Sequence, residues 1–105
     1  MSAVQILQAA LALISAPAKW TKEHVARDAH GNPVKPTDER AKCFCMVGAI
    51  QRVSAEASAD AYGQAITIVR KACGSESIFE FNDWHGHKAV LTCLRRSIAA
   101  AEVAA

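Results

Sequence analysis

From Val4 to Ile14 the chain offers almost nothing to water. Val4, Leu7, Leu11 and Ile14 recur at helical spacing, and Ile6, Ala10 and Leu13 widen that stripe until only Gln5, Gln8 and Ser15 are polar. The pattern predicts a helix over residues 3–15, stopped by Pro17. A helix that is apolar nearly all round is either the central member of its domain or is covered by a partner. The remaining segments therefore have to wrap around it, or leave it to a neighbour.

The supply of large apolar residues sets the scale. Apolar types make up 51% of the 105 residues, but 22 residues are Ala, so one small core is all the chain can build. With only five Gly and three Pro, a disordered, collagen-like or Pro-rich linker chain is excluded. The expectation is one Ala-rich helical domain spanning 1–105. The apolar run is too short to span a bilayer. Met1 to Gln5 carries no Lys or Arg, so the run does not read as a secretory leader.

Beyond Pro17 the pattern changes. His30-Gly-Asn-Pro33 is turn chemistry, and Val25-Ala-Arg27 with Val34-Lys35 predicts a small β-hairpin or extended loop insert over about 20–36. A lone hairpin is marginal in water, so it must pack on the helices, with Trp20 as a plausible anchor. Thr37 or Asp38 can cap a second helix carrying the stripe Cys43, Met46, Val47, Ile50, Val53 and Ala57. Gly48 interrupts that stripe, and a Gly there often lets another backbone approach closely. Ser58 can cap a third helix ending at Gly74, and Ser77 with Glu80 matches a capping box for a short turn. Asn82 or Asp83 then caps a last helix near 84–102, with Val90, Leu91, Leu94 and Ile98 facing inward. The fold class expected is all-α: a compact bundle of about four helices with that small insert.

Four arrangements bear on chemistry. Cys43, Cys45, His85 and His87 supply two thiolates and two imidazoles, the donors of a tetrahedral zinc site. Residues two apart on a helix point about 200° around the axis, which works against Cys43 and Cys45 sharing an ion. Cys45 as a nucleophile would need a lowered pKa, and about two turns inside a helix the macrodipole gives little help. Cys43 and Cys45 are too close to bridge within a helix and nothing else reads as a loop-rich stapled fold, so all four thiols are expected reduced, in a cytoplasmic protein without a cofactor. Arg27-Asp28 and Asn82-Asp83 read as a turn-ordering pair and a helix cap; a functional reading would join them in one polar pocket. Lys88, Arg95 and Arg96 give the last helix a basic side, the basis of a nucleic-acid alternative. The net charge is only +2, and basic and acidic residues are interleaved, so nucleic acid is not the expected partner.

The order Trp20, Ala26-Arg-Asp-Ala-His-Gly-Asn-Pro-Val34, Cys43-Phe-Cys-Met-Val-Gly-Ala-Ile50 and Phe81-Asn-Asp83 resembles an uncharacterised family of small bacterial and phage proteins, a domain of unknown function. The resemblance runs from about Leu7 to the last helix and implies no activity. His85 and His87 lie outside its motifs. Its phage members suggest a small accessory protein that binds a host protein.

The leading expectation is thus a non-enzymatic binding or regulatory protein that self-associates or holds a protein partner. Its candidate contact residues are Leu7 and Leu11 on the first helix, with Phe79, Phe81 and Trp84 before the last. Uncovered apolar area of that kind tends to be an interface.

Overall fold

The computed structural model describes residues 1–104, so Ala105 of the expected domain lies outside the described residues. It contains five α-helices: α1 (Ala3–Ile14), α2 (Met46–Val53), α3 (Ala59–Cys73), α4 (Ile78–His85) and α5 (His87–Ala104). A short 3-10 turn covers Pro17–Lys19, and two short strands, β1 (Ala26–Arg27) and β2 (Cys43–Phe44), pair antiparallel. The class is the expected one, a mostly α bundle with a small β insert. No helix among the described residues is long and apolar enough to cross a membrane.

α1 is the central helix. It packs against α2, α3 and α5, and Ile6, Leu7, Ala10 and Ile14 are fully buried. Ser2 caps it, with Gln5 completing the reciprocal capping box. Of the two possibilities for such a helix, the chain takes the first: its own segments cover it. Leu7 is therefore a core residue rather than a contact residue, and Leu11 is half-buried against the same core.

The insert is built differently from the expected hairpin. β1 pairs with β2, as Ala26 with Phe44 and Arg27 with Cys43, and not with Val34-Lys35. The chain does return at the His30–Pro33 turn, through a single bridge, Arg27 to Pro33, closed by backbone hydrogen bonds from Asp28 N to Asn32 O and from Val34 N to Ala26 O. Asp28 orders the turn by accepting from the backbone amides of His30 and Asn32, both at 2.9 Å. Those bonds, the Asn32 amides first, hold its carboxyl below the ordinary carboxylate value.

The second helix begins later than its stripe implied. Asp38 is taken up in a turn with Arg40, and Cys43-Phe44 is extended, so α2 starts only at Met46. Its early amides are still satisfied. Asn82 Oδ1 accepts from Met46 N, and Cys45 Sγ accepts from Gly48 N. The stripe's periodicity is compatible with either state over three residues, and pairing with β1 decided it.

Gly48 is where the insert meets α2. A Cβ added there would overlap the Val25 carbonyl oxygen. That carbonyl also accepts from Cys45 N at 3.2 Å. The absence of a side chain thus lets the extended segment lie directly on the first turn of α2.

The C-terminal half also departs from expectation. Ser58, Gly74 and Ser77 cap as read. Asn82 and Asp83 are not caps, however. They lie within α4, a full eight-residue helix, and Gly86 at φ +83° turns the chain into α5. Cys73 at the end of α3 and Cys93 on α5 are joined in a disulfide, with Cα atoms 5.7 Å apart. This corrects the expectation of four reduced thiols. Cys73 packs partly buried against the core and Cys93 is buried on α5, which lies against α3.

Candidate functional site

The zinc set does not assemble. Cys45 is the N-cap of α2, fully buried, with Sγ turned to its own helix at Gly48 N. Cys43 is half-buried on β2. Both lie outside the helix that was to hold them apart, yet only one of them is buried against the core. His85 Nδ1–H donates to Phe81 O at 3.0 Å, and its ring stacks on Phe81 with centroids 4.1 Å apart. His87 is tied elsewhere: Nε2–H donates to Ile14 O at 2.6 Å, and the ring lies 5.3 Å from that of Trp20. In both bonds the carbonyl can only accept, which fixes the proton on the ring nitrogen that faces it. Among the described residues, no three His, Cys, Asp or Glu side chains are grouped to hold a metal ion.

Cys45 sits where a helix dipole favours a thiolate, but burial dominates. It pushes the thiol up to about 11, against the hydrogen bonds from the Gly48 and Val47 amides that work the other way. A buried thiol held neutral is a poor nucleophile at neutral pH.

The polar pair at Asn82-Asp83 has a structural task. Asn82 is fully buried and uses its whole hydrogen-bonding capacity. Oδ1 accepts from Trp20 Nε1 and Met46 N, while Nδ2 donates to Thr21 O and Asp83 Oδ1. Asp83 Oδ1 also accepts from Glu23 N, where Glu23 holds φ +73°. Arg27 donates from Nε to Thr21 Oγ1 and from its terminal nitrogens to Lys22 O and Gly31 O. The two polar pairs are thus joined through residues 21–23, and together they pin the insert to α2 and α4. Sequence reasoning missed Asn82 in this role, because nothing local to a polar residue says that three distant segments will converge on it.

The remaining candidate is on the other side of α4. The three aromatic residues separate: Phe79 is half-buried, Phe81 packs on the core, and Trp84 is 83% exposed. Beside Trp84 an open groove of about 520 Å³ runs between the end of α3, α4 and α5. Phe81, Ala89 and the Cys73–Cys93 disulfide supply its apolar surface. Lys88, Arg96 and His85 supply its polar surface, and no Asp or Glu lines it.

The model of a Family of unknown function (DUF6197) matches residues 1–100. The chain belongs to that family. The match takes in α1 through most of α5, and so every residue of the groove and of the Asn82 network. No curated protein and no solved structure is significantly similar to this family member.

Proposed function

We propose that the protein is a small non-enzymatic binding module that holds a protein partner on the face formed by α4 and α5. The observation that carries this reading is Trp84, a large apolar side chain left 83% exposed beside an open groove in a domain that otherwise buries its core. Trp is highly buried on average, and Trp beside a pocket is the residue type that most often anchors an interface. The resemblance to small bacterial and phage proteins supports an accessory role acting on a host protein.

Two parts of the expectation change weight. Self-association loses the support of the first helix, whose apolar surface the chain itself covers. A cytoplasmic location loses the support of reduced thiols, because a persistent disulfide belongs to an oxidising compartment.

The test is quantitative co-purification from cells that carry the protein. A partner retained by the wild type and by the exposed control Gln64→Ala, and lost by Trp84→Ala, is the expected result. Equal retention by Trp84→Ala overturns the reading.

A further inference from the structure

We infer that the partner presents to this groove an acidic segment carrying one bulky apolar side chain. The inference rests on the binding reading above and names the chemistry of the occupant.

The first support is how the arginines are used. Arg27, Arg40 and Arg52, around the insert, are all engaged: Arg27 as above, Arg40 with the Asp38 carboxylate, and Arg52 with the carbonyls of Pro36 and Asp38. The only two ion pairs among the described residues, Arg27–Glu23 and Arg40–Asp38, are there as well. Among the described residues, the side chains of Lys88 and Arg96 make no hydrogen bond or ion pair; the same holds for Arg70 and Arg95, and what sets Lys88 and Arg96 apart is that both line the groove. They stand eight residues apart on α5, about 12 Å along its axis. A groove whose only charged groups are cations is complementary to carboxylates.

The second support is the floor. Phe81, Ala89 and the disulfide form an apolar surface between the two cations, and Trp84 stands at one end. Purely acidic ligands would leave that surface wet, whereas one apolar side chain among the acids covers it. A second copy of this chain would bring the same cations face to face. Glu80, which borders Trp84, and Glu76, which borders the next cleft, repel any anion, so the carboxylates of an occupant are confined to the stretch beside Lys88 and Arg96. A segment of protein can leave its part near Trp84 uncharged, whereas a nucleic acid carries a phosphate at every step.

The test uses fluorescent peptides of about twelve residues, Glu-rich with one central Leu, against versions with every Glu replaced by Gln or the Leu by Gly, and a DNA strand of similar length. The expected result is saturable binding of the Glu–Leu peptide, weakened at least about tenfold by either replacement, by added salt, or by Lys88→Glu with Arg96→Glu. Both positions are exposed, and an unchanged circular dichroism spectrum confirms the fold of the double variant. Binding weaker than about 1 mM, indifference to the charge reversal, or tighter binding of the DNA overturns the inference. If the charge reversal has no effect while Trp84→Ala still loses the native partner, the occupant's chemistry is wrong and the binding reading stands. If neither change matters, both fall.

Discussion

Trp20 Nε1 donates to Asn82 Oδ1 at 2.7 Å, across 62 positions of the chain. The same oxygen accepts from Met46 N at 2.9 Å, so one buried side chain fastens the insert, the start of α2 and the middle of α4. In a domain this small, that network positions α4, and α4 carries both Phe81 and Trp84.

Replacing Asn82 by Ala leaves the buried Met46 amide without its partner and removes the bonds to the half-buried Trp20 indole N–H and Thr21 carbonyl. The expected loss is about 1–3 kcal/mol in urea unfolding, the cost of one buried unsatisfied group. Trp20→Phe removes only one donor and costs less, and the two changes combined are less than additive. Additive losses would show that the bond contributes nothing of its own.

Two glycines give opposite results. Gly48→Ala drives a methyl group into the Val25 carbonyl, and the backbone must move, at a cost of about 1–3 kcal/mol. Gly63, within α3, has open space where its Cβ would be, so Gly63→Ala stabilises the protein by about 0.5–1 kcal/mol. Thermal midpoints of the two variants check both signs.

Cys73 and Cys93 are 20 residues apart in sequence, and closing a loop of that size removes about 3 kcal/mol of unfolded-state entropy. Unfolding in the presence of a reductant is expected to show a loss of about that size, with no such loss for the Cys73→Ala, Cys93→Ala double variant. A wild type unaffected by reductant would contradict the pairing.

Burial raises the Cys45 thiol from its ordinary value of 9.0 to about 11. Between those pH values the unfolded chain releases this proton and the folded chain keeps it, so stability falls as pH rises from 9 to 11. Below 9 the contribution is complete. The expected measurement is a steeper decline for the wild type than for Cys45→Ala over that window. Parallel curves would mean that the thiol ionises freely in the fold.

The sequence carries helix existence well because the apolar stripes of α1, α3 and α5 are long enough for the 3.6-residue period to exclude a strand. It carries caps well, since Ser58, Gly74 and Ser77 act through neighbours three or four residues away. What it hides is set by distant partners. Cys43-Phe44 becomes a strand only because Ala26-Arg27 lies beside it, and Asn82 is pulled out of a capping role by Trp20 and Met46. The groove was half legible: Phe81, His85, Lys88 and Arg96 were each singled out, but for three different purposes. Their convergence depends on the break at Gly86, which folds α4 against α5, and on the disulfide that holds α3 beside them.

The central claim is that the face around Trp84 is where a partner protein sits. The most direct measurement leaves Trp84 intact, places a photo-reactive amino acid at the neighbouring exposed position 80, and at exposed position 64 on α3 as a control, and irradiates cells that carry the protein. A discrete cross-link to another protein is expected from position 80 and none from position 64. Cross-linking only to a second copy of the chain, equal products from both positions, or no product from position 80 would contradict it.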